Sequence, residues 1–185
     1  MEFDDVVNER KSARKFKSKK PDWKDIIDAI DSARKIPLAG NLPNIKFILL
    51  DDAKKIREIA KCCQQGFISQ VSYVVIVTSD PKEVIRSYDE RGERYCIQQA
   101  GAAIHHFLLK LIDLGLSGCW IGAFVDDHIK RALKIPAQVN VEAVIPIGYS
   151  FDRTRKKPKP DLDRVLRFNN YDQKFMRPKD EVEAF

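Results

Sequence analysis

At 185 residues, with 44% hydrophobic and 32% charged side chains, the chain is long enough for one sizeable core and short for two, so a single domain over residues 1–185 is expected. Its most apolar run, residues 96–116, is too short and too interrupted by charge to span a membrane, and Cys62, Cys63, Cys96 and Cys119 lack the C-x-x-C spacing of a zinc knuckle or a disulfide framework. The excess of 33 lysines and arginines over 27 acids, a net charge of +6, directs attention to anionic partners such as phosphates, nucleic acid or an acidic surface.

The first residues, MEFDDVVNER, are acidic and amphipathic and read as neither a secretory signal nor a transit peptide, so a cytoplasmic location is expected. Phe3, Val6 and Val7 predict a short amphipathic helix running into the basic stretch that starts at Arg10. Asp22 after Pro21 is a good N-cap, and Ile26, Ile27, Ile30 and Ala33 mark the buried face of a helix to about Lys35. The chain then turns at Pro37, Gly40 and Pro43. Residues 45–50 form a strand, Asp52 caps a helix to about Cys63, and the β-branched run YVVIVT at 73–78 suits a buried strand.

Asp80 and Pro81 start the next helix. In the long helix of residues 96–116 the polar positions Gln99, His106, Lys110 and Asp113 fall on one narrow stripe, and Gly115 is its left-handed stop. Ala100, Gly101, Ala102 and Ala103 form a patch without bulky side chains that another backbone, including a second subunit's, can approach. A short apolar strand over 117–124 ends in glycine and alanine, leaving backbone amides uncovered toward a flat ligand. Asp126 or Asp127 caps a helix to about Lys134, residues 141–147 make a last core strand, and a short helical pattern at 162–166 precedes a charged tail. Helices and about four strands alternate without a regular βαβ rhythm, which is an α+β reading.

Two basic clusters stand out. Arg10 and Arg14 are placed four apart on one side of a helix end with Ser12 between them, a receptor suited to a phosphate dianion because arginine donates paired hydrogen bonds. A solvated basic helix end is the competing reading. The second cluster comprises Arg153, Arg155, Lys156, Lys157 and Lys159. His105, His106 and His128 have no metal-ligand spacing, and Cys119, in an apolar strand with no histidine nearby in sequence, reads as core.

In combination these features resemble the nitroreductase family of FMN-dependent oxidoreductases, from about Asp4 to Val165. The landmarks come in the family's order: Arg10, Lys11, Ser12, Ala13 and Arg14; the turn of Pro37, Leu38, Ala39, Gly40 and Asn41; a long buried helix; the LGLSGCWIGAF segment at 114–124; and Pro146 to Tyr149 before a basic loop with Lys157 and Lys159. The resemblance implies a nitroreductase-like fold, a central mostly antiparallel sheet flanked by helices in an intertwined homodimer. It implies that Arg10, Ser12, Lys157 and Lys159 hold the FMN phosphate, with Lys11 beside them and Arg14 at the phosphate or the pyrimidine edge.

Pro37, Leu38, Ala39 and Asn41 would contact the flavin from the other subunit. The backbone of Gly122 and Ala123 would lie near flavin N5, and Gln64 falls where a pyrimidine-binding amide is found. No catalytic side chain is assigned, since the flavin carries hydride from NAD(P)H to a nitroaromatic, quinone or related acceptor. Two departures are visible: Phe67 stands where some members place a lysine, leaving Arg14 or Lys46 to stabilise reduced flavin, and Asn44 and Ile45 stand where an aromatic often follows the proline turn. Tyr88, Tyr95 and Phe124 are candidate aromatic walls, Phe124 first. A flavin-storage protein of the same fold and a basic nucleic-acid module are the alternatives; against the latter, no helix-turn-helix, zinc or RNA-binding signature is present.

Overall fold

The computed structural model describes residues 1–151 and 158–176. The chain divides into two compact units, Met1–Arg153 and Thr154–Phe185. The first contains helices α1 (Phe3–Glu9), α2 (Trp23–Ala33), α3 (Ala53–Cys62), α4 (Lys82–Tyr88), α5 (Glu90–Asp113) and α6 (Asp126–Leu133), and strands β1 (Ile45–Leu50), β2 (Tyr73–Ser79), β3 (Ser117–Gly118) and β4 (Asn140–Gly148). The strands form one sheet in the order β1-β2-β4-β3, every neighbouring pair antiparallel. The expected α+β architecture with a four-stranded antiparallel sheet is therefore present.

The sheet is covered on both faces, which is why β2 carries no polar alternation and is buried along its whole length. Val74 and Ile76 turn to a core shared with Ile56 and Ile59 of α3 and Ile129 of α6. Tyr73, Val75 and Val77 turn to the opposite core, with Ile26 and Ala33 of α2 and Ile104, Phe107 and Leu111 of α5. Asp22 and Asp52 cap α2 and α3, accepting from the Lys24 and Lys54 amides at 3.0 and 2.7 Å, as the capping pattern requires. Gly115 ends α5 with φ 74°.

Some expectations are corrected. Ile27 is 42% exposed and Ala29 takes its place on the buried face of α2, because positions 26, 29 and 33 follow the helical period more closely than 26 and 27 together. The long helix starts at Glu90, not Cys96, at a chain reversal where Asp89 has φ 49°. Val125 occupies the N-cap position of α6, placing Asp126 and Asp127 in its first turn, where their charge meets the positive end of the helix dipole.

In the second unit, α7 (Leu162–Val165) has no buried residue, and a turn closes with the Phe168 amide donating to the Gln173 carbonyl at 2.8 Å.

Candidate functional site

The first basic cluster is not on a helix. After α1 ends at Glu9 the chain extends. Ser12 bridges Gly118 in parallel and Phe16 bridges Ser150 in antiparallel fashion. The Ala13 amide donates to the Gly118 carbonyl at 3.1 Å, and the Lys17 amide to the Tyr149 carbonyl at 2.7 Å. Ala13, fully buried, and Phe16, 8% exposed, supply the apolar anchors that favour extension over another helical turn. A Cβ built on Gly148 would lie 2.9 Å from Phe16 Cδ1, so the glycine makes room for that ring.

Extended backbone repeats every two residues. Burial alternates over Ser12, Ala13 and Arg14: Ser12 and Arg14 are exposed on either side of buried Ala13, and Arg10 and Lys11 are half-buried. Burial pushes the Cys119 thiol up, while the Arg14 charge and hydrogen bonding from Ser12 and Arg14 draw it down.

The segment after β3 is shorter as a strand than expected. Ser117 faces Gly148, Gly118 faces Ile147, and the register resumes at Ile121 opposite Val144, with amide-to-carbonyl bonds of 3.1 and 3.0 Å in both directions. Between them Cys119 falls opposite Pro146, which has no N–H to complete the ladder. Beyond Ile121, Gly122 and Ala123 are exposed, and a Cβ on Gly122 would meet no heavy atom within 4 Å. Their backbone is uncovered, as expected. The Val125 amide then returns to the Cys62 carbonyl at 3.1 Å.

That bond ties the open segment to the end of α3, where Gln64 sits. Gln64 is exposed with φ 53°, and the amides of Gln64 and Gln65 donate to the Lys61 and Ala60 carbonyls at 3.0 and 3.2 Å. This is a helix stop normally filled by glycine. Phe67 and Phe124 are half-buried against the same core cluster, so Phe124 presents only part of its ring to the surface.

The proline turn is held from elsewhere. Pro37 is exposed, and Ala39–Asn41 makes one 3₁₀ turn in which Gly40 and Asn41 have φ 57° and 55°, a conformation suited to glycine and tolerated by asparagine. Gln99 of α5 accepts from the Ala39 amide at 2.7 Å and donates to the Leu42 carbonyl at 3.4 Å and to Asn44 Oδ1 at 2.6 Å. It is 4% exposed, so the narrow polar stripe it shares by spacing with His106, Lys110 and Asp113 is buried at Gln99. The turn packs over this part of α5 and buries the position.

Tyr88 seats the turn from the other side, its hydroxyl 2.5 Å from where a Gly40 Cβ would stand. Tyr95 meets Tyr88 edge-on at 5.1 Å between centroids. Two of the three candidate aromatic walls thus support the turn. Neither role was anticipated; a glutamine whose neighbours one turn away, Cys96 and Ala103, are apolar was the available signal for Gln99.

The structure accordingly brings Ser12 and Arg14 to the edge that continues into Gly122 and Ala123, joins Gln64 to that edge through the Val125 bond, and connects Pro37, Leu38, Ala39 and Asn41 to the body through α5. Lys157 lies outside the described residues, and Lys159 is exposed in the second unit.

Comparison with known proteins gives a consistent result. The family model described as Nitroreductase family matches residues 7–71 and 59–149. A solved nitroreductase family protein from Clostridium novyi NT is 30% identical, with 97% of this chain and 100% of that one covered and a TM-score of 0.76. An FMN-dependent nitroreductase from Clostridium difficile R20291 is 25% identical over 90% of this chain and 98% of its own, also at TM-score 0.76. An iodotyrosine deiodinase from Thermotoga neapolitana is 20% identical over 90% of this chain and 97% of its own length.

Proposed function

This chain belongs to the nitroreductase family, and we propose that it is an FMN-dependent oxidoreductase passing hydride from NADH or NADPH to a nitroaromatic, quinone or related acceptor. The observation that carries this reading is the bridge between Ser12 and Gly118. It sets Ser12, with Arg10 and Arg14 two residues to either side, beside the β3 segment that runs on to the exposed Gly122 and Ala123.

The residues fit FMN. A phosphate dianion loses hydration on binding and needs several charge-assisted donors, and Arg10, Ser12 and Arg14 offer two guanidiniums and a hydroxyl within one short stretch. Lys11, Lys157 and Lys159 belong to this reading as further cations. A flat ring needs close backbone approach, and the open space at Gly122 permits it. When bound, FMN supplies the hydride chemistry. The chain's own residues bind and orient: Arg14 places positive charge by the ring or phosphate, Gln64 presents an amide, and Gly122 and Ala123 present backbone. No side chain is assigned a proton-transfer role.

The same reading makes the working form a cytoplasmic, single-domain protein paired as a homodimer. Ile97 on α5 is 64% exposed and Trp120 43%, and the Trp120 ring lies 4.0 Å from a Cβ built on Gly101; a second copy covering this surface brings its 37–41 turn toward the site. Among the described residues no helix is long and apolar enough to cross a membrane.

Purified protein should be yellow. Arg10→Ala should weaken FMN by about 1.5 to 3 kcal/mol, the value of one charged hydrogen bond, and stopped-flow reduction by NADH and NADPH separates turnover from storage. The acceptor panel should include an iodotyrosine, given the deiodinase among the relatives. Colourless protein whose DNA affinity falls steeply with salt would replace this reading with the nucleic-acid one.

A further inference from the structure

A buried amide pair grips the proline turn at both ends, and neither partner is accounted for by cofactor contact. Gln99 Oε1 accepts from the Ala39 amide at 2.7 Å; Gln99 Nε2 donates to Asn44 Oδ1 at 2.6 Å and to the Leu42 carbonyl at 3.4 Å. Both side chains are 4% exposed. The orientation of each amide follows from its partners: only oxygen can face the Ala39 N–H, so nitrogen faces Asn44, so Asn44 turns its oxygen to Gln99.

The cost of that arrangement is visible. Asn44 Nδ2 is buried with no hydrogen-bond partner among the described residues. It lies toward Cys96, where the amide draws the thiol down against the larger upward push of burial, without reaching hydrogen-bond geometry. A buried orphan donor is expensive, and an apolar pair could fill the same space. The turn also contains two successive left-handed residues, Gly40 and Asn41, and has Tyr88 pressed on Gly40. An amide grip this specific fixes where residues 38–42 stand more narrowly than packing alone.

We propose that Gln99, oriented by Asn44, is a positioning residue for the flavin site: it sets the stance of the residue 38–42 backbone, and through it the flavin's reduction potential and the rate of hydride transfer, without touching the cofactor. The inference rests on the FMN reading above. It uses the turn as the part of this chain that meets the ring, in its own subunit or in the partner.

The test uses full-length protein and two variants. Gln99→Leu removes donor and acceptor. Gln99→Glu keeps the shape: as the neutral acid it can still accept from Ala39 and donate to Asn44, but once ionised it only accepts and repels Asn44 Oδ1. Hydrogen exchange of the Ala39 amide in FMN-free protein should speed up by about tenfold in Gln99→Leu, the loss of one net hydrogen bond. With FMN added to saturation, Gln99→Leu should show a shifted flavin midpoint potential and a lower kcat with KM for the acceptor little changed. Gln99→Glu should follow the parent at low pH and Gln99→Leu at high pH, a transition the parent lacks.

Unchanged Ala39 exchange overturns the proposal. So does faster exchange accompanied by the parent's potential and kcat in both variants, because the grip is then structural only. A parent that binds no FMN at all overturns the functional reading and this inference with it; a parent that binds FMN beside variants indistinguishable from it overturns the inference alone.

Discussion

The proline turn and the open segment after β3 expose backbone of similar kind and are held by opposite means. Residues 37–42 have no ladder partner. Their stance comes from side chains: Gln99 on the Ala39 amide and the Leu42 carbonyl, and Tyr88 against Gly40. The Ile121 to Ala123 segment has one full bridge to Val144 and little side-chain cover beyond it. Backbone fixed by buried side chains resists change at its own positions, whereas backbone fixed by a sheet edge tolerates change wherever the edge faces open space.

Glycine-to-alanine substitution in the two regions breaks the comparison most directly. At Gly40 an alanine meets a left-handed φ of 57° and the Tyr88 hydroxyl at 2.5 Å. The conformational cost is about 1–2 kcal/mol, and displacing Tyr88 adds to it, so thermal unfolding should show a loss of about 2–3 kcal/mol. At Gly122 the added methyl meets nothing within 4 Å, and stability should stay within about 0.5 kcal/mol of the parent. Gly122→Ala should nonetheless weaken FMN, because the methyl stands where the ring is read to approach. Equal unfolding temperatures for the two variants would erase the distinction between the regions.

Gly118→Ala is expected to fall between them. Its Cβ would stand 3.1 Å from Ile145 Cγ2, 3.2 Å from Leu108 Cδ2 and 3.3 Å from Leu111 Cδ1. These are methyl groups that give way by small shifts, so overpacking should cost about 1–2 kcal/mol. Gly118 also receives the Ala13 amide. Movement there carries the Arg10 to Arg14 strand with it, and FMN affinity measured by titration should drop along with stability, unlike at Gly122, where affinity alone is expected to change.

The physical basis of these differences explains what could be read in the chain. The capped helices α2 and α3, the strands at 45–50 and 73–79 and the stop at Gly115 follow from local periodicity and capping, and they stand as expected. The family resemblance supplied the fold and located the landmarks in order. What local patterns do not record is pairing between distant segments. Arg10 to Phe16 continues a helical rhythm until Ala13 and Phe16 are buried against Gly118 and Gly148, and the extended form wins by tertiary contact. Gln99 matches a polar stripe by spacing, yet its partners lie 55 and 60 residues away, so no window centred on α5 contains the reason for it.

The smallest effect at neutral pH sharpens the comparison through titration. Gln99 and Asn44, the amide grips on the proline turn, carry no ionisable group, and the Cys96 thiol adjoins Asn44. The open segment rests on a cluster that includes Cys62, Cys63 and Cys119. Burial holds the Cys63 thiol up to about 12 from an ordinary 9.0, with the neighbouring Cys62 adding to the rise; Cys62 and Cys119 are raised as well, again chiefly by burial. Between pH 9 and 12 the unfolded chain therefore sheds a proton that folded Cys63 keeps. With fewer protons on the unfolded state, stability falls as pH rises, by at most about 1.4 kcal/mol per pH unit for one group. Below pH 9 both states hold the proton and there is no slope. Urea midpoints for parent and Cys63→Ala should accordingly run parallel from pH 7 to 8.5 and converge above it, the variant losing less. Hydrogen exchange at pH 10 should rise at Val125, which bonds to Cys62, before it rises at Ala39; the reverse order would mean that the thiol cluster does not hold the open segment in place.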